Sequence, residues 1–249
     1  MKSSRRKFLQ IAGLSALGWS ICPSLLQASG HGGGEGRNGQ GVRWAMAIDT
    51  RKLDDKLMEE CVHACHSIHN VPKINSKQNI KWIWSAPFEK LFPGQMHKFL
   101  KEVPEEHTLA LCNHCGNPSC VRVCPTKATF KRPDGIVMMD FHRCIGCRYC
   151  MAACPYGSRS FNFADPRRFL KEQNPDFPTR TKGVVEKCTF CAERLDEGKR
   201  PACVEAAKGA IYFGDLNDPH SEVRQVLKER YSIRRKPGLG TDPSVYYLI

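Results

Sequence analysis

The sequence predicts a mixed α and β fold of short elements arranged around cysteine clusters, and three observations lead there. First, Cys144, Cys147, Cys150 and Cys154 are spaced C-x2-C-x2-C-x3-C and followed by Pro155. In that run three thiolates grip one [4Fe-4S] cube and the fourth reaches a second cube. The two-residue gaps turn the loop tightly enough to aim three thiolates at three iron corners, and Gly146 leaves the backbone room to do so. The fourth cysteine is expected to start a helix. Second, the chain of 249 residues carries 14 cysteines while only 41% of it is hydrophobic, so metal centres replace part of an apolar core. Third, short strand-like runs recur at matching distances before and after the clusters. Zinc explains the run less well, because zinc sites favour two separated cysteine pairs.

Taken in order, Ser4, Arg5, Arg6, Lys7, Phe8, Leu9 and Gln10 form a twin-arginine signature. A modestly apolar stretch follows, with Ala28, Ser29 and Gly30 as a processing site, so residues 1–30 read as a Tat leader. Tat exports proteins already folded, and metal centres can then be inserted in the reducing cytosol. That accounts for many cysteines in an exported chain without a disulfide framework. The apolar stretch is shorter than the roughly 20 residues of a membrane span, although retention as an uncleaved anchor is an alternative. Cys22 would leave with the leader. The expected location is the periplasmic, extracytoplasmic side of the cell membrane. Residues 31–42 are glycine-rich and read as a linker.

Trp44 to Ile48 then suggests a buried strand ending at Asp49. Its sequel resembles a copy of the segment around Cys144. Asp140 precedes Cys144 by four residues, and Asp49 precedes Leu53 by four. In this first motif Leu53 and Lys56 stand where Cys144 and Cys147 stand, while Cys61 and Cys65 repeat the spacing of Cys150 and Cys154. A second motif is Cys112, Cys115, Cys120, Cys124 and Pro125. A fourth is Cys188, Cys191 and Cys203, with Ala207 where a fourth cysteine would fall. Ala128 to Phe130 and Ala210 to Phe213 are returning strands. Phe161 to Pro178 reads as a connecting excursion. Ser221 to Tyr231 reads as a helix with Ser221 as N-cap and Val223, Val226 and Leu227 on one face. Lys236 to Ile249 is rich in glycine, proline and tyrosine, and its apolar strip around Val245, Tyr246, Tyr247 and Leu248 is expected to lie along a partner or the body without forming an element.

The formal charge of +13 invites a nucleic-acid reading, but none is expected. Removing Lys2, Arg5, Arg6 and Lys7 with the leader leaves +9. Cubes carrying about −2 each, counted with their thiolates, would bring three-cluster protein to roughly +3. No basic stripe interleaved with aromatics stands out.

The order of four motifs, the eleven residues between Cys191 and Cys203, and the leader resemble the periplasmic ferredoxin-type iron-sulfur subunits of membrane-bound oxidoreductases. That family includes the beta subunits of formate dehydrogenase, tetrathionate reductase and polysulfide reductase. Within it, the degenerate first motif, running from Cys61 through His66 to His69, Asn70, Val71 and Pro72, most resembles the DsrO type. DsrO subunits carry electrons in the sulfite-reduction-associated DsrMKJOP membrane complex.

The resemblance implies an α+β fold of two pseudo-twofold, bacterial-ferredoxin-like units, the second inserted in the first, with loop excursions and an extended C-terminal tail. The first unit would span 43–104 plus 183–214, the second 105–165, with a connection at 166–182 and a partner-contacting tail at 215–249. It implies three [4Fe-4S] clusters. Cys112, Cys115, Cys120 and Cys154 would hold one, Cys144, Cys147, Cys150 and Cys124 another, and Cys188, Cys191, Cys203 and Cys65 the third. A fourth site would fall on Leu53, Lys56, Cys61 and Ala207, three of which lack a thiol, so Cys61 is expected to be unliganded and to behave as a small apolar residue.

The implied function is electron transfer without substrate chemistry. Its partners would be an NrfD-type, quinone-interacting integral membrane subunit and haem c or other redox subunits, with membrane contact through partners only. No nucleophile motif, dinucleotide fingerprint or phosphate loop is present in the sequence. Cys61, Cys65 and His66 approach a c-type haem spacing, but Cys65 is claimed by the third cluster. His63, His66 and His69 share a helical face and are expected to meet solvent or a partner.

Overall fold

The computed structural model describes residues 41–96 and 107–249. The expected leader, and the linker as far as residue 40, lie outside the described residues. In chain order the elements are β1 (Trp44–Asp49), α1 (Asp55–Ile68), β2 (Ile83–Pro87), α2 (Phe88–Leu91), β3 (His107–Leu111), α3 (Ser119–Arg122), β4 (Thr129–Lys131) and β5 (Val137–Met139). Then come α4 (Tyr149–Ala152), β6 (Ser160–Phe161), β7 (Val185–Glu186), α5 (Ala192–Asp196), α6 (Ala202–Ala206), β8 (Ile211–Asp215), α7 (Glu222–Glu229), β9 (Ser232–Ile233) and β10 (Val245–Leu248). Helix and strand are thus mixed and short, as expected. No helix among the described residues is long and apolar enough to cross a membrane.

β1 is the organising strand. Alternation sends Met46 and Ile48 into the main core and Ala45 and Ala47 into a smaller cluster beneath α7. The two alanines are small because Val223 and Val226 of α7 pack directly on them. Ser221 starts that helix by accepting the Arg224 N–H on its side chain, the N-cap expected from the sequence. On one edge β1 pairs antiparallel with β8, matching Ala47 to Tyr212.

The other edge of β1 overturns an expectation. The C-terminal residues Val245–Leu248 are β10, paired parallel to β1 with Met46 opposite Val245, and β9 closes the sheet in the order β8-β1-β10-β9. Val245, Tyr247 and Leu248 are fully buried. The apolar strip therefore lies along the body, one of its two expected placements, but as a strand, with three of its four residues spent inside this chain. β1 is buried on both faces, so the N–H and C=O groups on its free edge need partners that water cannot supply. The tail supplies them.

The other strands form consecutive antiparallel pairs: β2 with β3, β4 with β5, and β6 with β7. The resemblance between the Asp49 and Asp140 segments has a counterpart in hydrogen bonds. Asp49 N–H donates to Ala210 O at 2.8 Å after β1, and Asp140 N–H donates to Ala128 O at 2.7 Å after β5.

α1 begins one residue after Asp54, whose carboxylate accepts the Leu57 N–H at 2.7 Å. It packs on α6, its partner in the main core. The segment 166–182 is pinned to the end of α1. Asn70 Nδ2 donates to Asn174 O at 2.9 Å, and Asn174 Nδ2 to Ile68 O at 2.8 Å.

Candidate metal centres

The first C-x2-C loop of each of the last three motifs makes its turn with a residue in the left-handed region just before its second cysteine. These residues are His114, Gly146 and Phe190, at φ of 40°, 70° and 56°. At Gly146 the requirement is steric as well, since a Cβ would lie 2.3 Å from Gly183 O. His114 and Phe190 carry side chains at this strained position and stack on each other, ring centroids 3.7 Å apart. Their stack joins the loop of Cys112 and Cys115 to the loop of Cys188 and Cys191.

The third cysteine of each motif rides a single helical turn: Cys120 on α3, Cys150 on α4 and Cys203 on α6. Cys124 and Cys154 follow the ends of α3 and α4, whereas the sequence placed a helix start there. The proline after each disfavours helical backbone at the preceding residue, so the turn must finish first. Ser119 Oγ donates to Ala153 O at 2.7 Å and ties α3 to the end of α4.

Cys112, Cys115, Cys120 and Cys154 line one cavity together with Tyr156 and Arg159. Burial pushes the Cys115 thiol up to about 12, and the neighbouring sulfurs of Cys112, Cys120 and Cys154 add to the rise. A second group consists of Cys65, Cys188, Cys191 and Cys203, all buried. Burial first, then the charges of Cys188, Cys191 and Cys203, raise Cys65 well above its ordinary value.

Cys124, Cys144 and Cys150 meet in a small cluster with Cys120, Ala128, Met139 and Val185, while Cys147 is exposed. At Cys124 burial opposes ionisation, but the backbone amides of Thr129, Thr126 and Ala128 and the Thr126 hydroxyl hold the thiol below its ordinary value. Those donors favour a thiolate.

The residues of the expected fourth site are placed otherwise. Leu53 packs against the main core, Lys56 is exposed on α1, and Cys61 and Ala207 are fully buried. Burial lifts the Cys61 thiol to about 11, with Glu60 adding to it and Lys208 opposing.

All 13 described cysteines are free. The thiols of Cys65, Cys115, Cys154, Cys188, Cys191 and Cys203, whose burial resists ionisation, suit a ligand that brings its own positive charge, because a bound metal ion forces the thiolate form. The donor sets therefore fit [4Fe-4S] clusters, which take four cysteine sulfurs each.

Several groups around the sulfurs had no signal in the sequence. His69 was expected to face solvent or a partner, but it is 1% exposed, and its Nε2 meets Glu193 Oε1 at 2.7 Å. Arg159, Lys187 and Arg235 are buried beside cysteine loops, where composition alone suggests solvated charges. Arg180 is buried with Glu186, which also accepts the Trp82 Nε1–H at 2.9 Å.

Comparison with known proteins follows the same lines. A family model described as a 4Fe-4S dicluster domain matches residues 106–166. The Hdr-like menaquinol oxidoreductase iron-sulfur subunit 1 of Archaeoglobus fulgidus is 44% identical, over 98% of this chain and 97% of the relative. The menaquinone reductase iron-sulfur cluster-binding subunit of Nitratidesulfovibrio vulgaris is 40% identical, covering 83% and 89%. A tetrathionate reductase subunit of Salmonella typhimurium is 36% identical, covering 100% and 89%.

Proposed function

Because the chain belongs to the family of ferredoxin-type iron-sulfur subunits of oxidoreductase complexes, we propose that it carries electrons through three [4Fe-4S] clusters within a membrane-bound respiratory complex. The ligands are Cys112, Cys115, Cys120 and Cys154; Cys144, Cys147, Cys150 and Cys124; and Cys188, Cys191, Cys203 and Cys65. When bound, such clusters supply one-electron transfer. The protein's part is to fix their separation and exclude water. Cys154 and Cys124 do the first by crossing between motifs, so that neither cluster can move without the other.

The partners are a quinone-interacting membrane subunit of the NrfD type on one side and haem c or other redox subunits on the other. The complex is of the sulfite-reduction-associated kind, and the chain is exported folded by Tat to the periplasmic side. The fold is two ferredoxin-like units related by a pseudo-twofold, and the matching bonds from Asp49 to Ala210 and from Asp140 to Ala128 support it. A second assignment, the iron-sulfur subunit of a tetrathionate-type reductase, draws on the tetrathionate reductase relative that spans all of this chain. The subunits that co-purify with the chain separate the two.

The carrying observation is where the thiols were lost. Leu53, Lys56 and Ala207 all fall on one expected site, while the twelve cysteines of the other three are all present. Random decay would scatter such losses. One coordinated loss leaves about twelve irons, four to each cube. Cys61→Ser should keep all the iron, whereas Cys65→Ser should lose about a third. Iron and sulfide analysis of the two variants, with EPR of the reduced proteins, decides it. A fourth cluster in the wild type, or iron loss in the Cys61 variant alone, would sink the assignment.

A further inference from the structure

Arg159 is 5% exposed, and its hydrogen-bond partners are sulfurs and a hydroxyl. Nη2 donates to Cys120 Sγ at 3.0 Å and to Thr129 Oγ1 at 2.7 Å, and Nη1 approaches Met139 Sδ at 3.8 Å. Cys150 is packed in the same small cluster as Cys120 and Met139, close enough for its thiolate charge to act on the guanidinium. Among the described residues no carboxylate pairs with it, in contrast to Arg180, whose Nη2 lies 2.8 Å from Glu186 Oε2.

A buried cation without a counter-charge is strongly unfavourable. Neutral thiols provide no counter-charge. Four thiolates around an oxidised cube leave about −2, and Arg159 bonds a sulfur of one such set and packs in the same cluster as a sulfur of another. Cys120 belongs to the first set and Cys150 to the second. The largest sulfur charges acting on Arg159 are those of Cys120, Cys150 and Cys112.

Resting on the ligand sets proposed above, we propose that Arg159 is a positioning residue shared by two neighbouring clusters. It donates to a ligand sulfur of one, sits beside a ligand sulfur of the other, raises both reduction potentials together and leaves the third cluster alone. The physical reason is that reduction adds negative charge to a cube. A fixed positive charge and N–H donors at its sulfurs favour that state. Thr129 Oγ1, itself donating to Met138 O at 2.9 Å, holds the guanidinium between the two sets.

The test is potentiometric titration of the full-length chain, monitored by EPR, in Arg159→Met and Arg159→Lys. EPR reads only loaded clusters, so partial loading does not blind it. In Arg159→Met two of the three signals should move to lower potential, each by at least about tenfold in its reduction equilibrium, or about 59 mV for a one-electron couple. Arg159→Lys, which keeps the charge but not the planar fork, should recover part of both shifts. Should Arg159→Met instead lose those two clusters while the third persists, recovery of both in Arg159→Lys supports the same shared role. Unchanged potentials, a shift of one cluster alone, or equal loss of all three would overturn it. A wild type without three clusters would fail the underlying ligand assignment first, which iron analysis shows independently.

Discussion

Asp49 and Arg230 show how a buried charge is accommodated here by a carboxylate–guanidinium pair. Asp49 is 1% exposed and ends β1, and its carboxylate meets Nη1 of Arg230 and, at 3.0 Å, Nη2. Burial works to raise its pKa, but the hydrogen bond and charge of Arg230, with the Arg51 N–H and Lys52, hold it below the ordinary carboxylate value. A depressed folded-state pKa means the stabilisation is complete above the unfolded value of about 3.9 and is lost as pH falls through the folded one. Asp49→Asn should therefore destabilise the protein by about 1.5–3 kcal/mol at pH 7, the range of hydrogen bonds to charged groups. For a domain of this size that lowers the melting temperature by several degrees. Calorimetry at neutral and acidic pH checks it: the gap between variant and wild type should narrow below about pH 4.

Among the elements, β10 reaches furthest. It completes β1, and Tyr247 Oη donates to Leu109 O at 3.0 Å, next to the first metal loop. The residues just before it clamp that loop. Gly116 N–H donates to Asp242 O at 2.6 Å, Asn117 N–H to Thr241 O at 3.0 Å, and Ser244 N–H to Asn113 O at 2.8 Å. Deleting residues 236–249 should therefore cost iron, beginning with the cluster assigned to Cys112, Cys115, Cys120 and Cys154. A soluble truncation that kept its full iron content would show that the tail is dispensable to the sites. The same bonds explain why a segment rich in glycine and proline is ordered: its donors and acceptors are spent on the loop it covers.

On the scale of the whole molecule, the proposed ligand sets draw cysteines from four motifs, so that clusters bound there would act as mutual staples joining chain distant in sequence. Folding and cofactor insertion are then coupled, and for an exported chain that requires assembly before transport. Changing Arg5 and Arg6 together to Lys should leave a folded, brown precursor in the cytoplasm. Cell fractionation with absorption spectra checks this, and recovery of the loaded double variant from the periplasm would remove the twin-arginine assignment.

Cysteine spacing is local information, and it determined the loops, the number of sulfurs per motif and the returning strands. Helix α7 was equally legible, because its cap at Ser221 and its apolar face at Val223 and Val226 are set within one or two turns. Only the tertiary structure decided what lies far apart in the chain. The parallel pairing of β10 with β1 joins residues about 200 apart, and nothing within either segment names its partner, since a strand's pattern shows which face is buried and not which edge is taken. The burial of Arg159, Lys187 and His69 was invisible for the same reason. A charged or titratable side chain reads as solvated until the fold buries it beside a partner: the Cys120 sulfur for Arg159 and the Glu193 carboxylate for His69 come from other motifs, while Lys187 turns back on the carbonyl of adjacent Cys188.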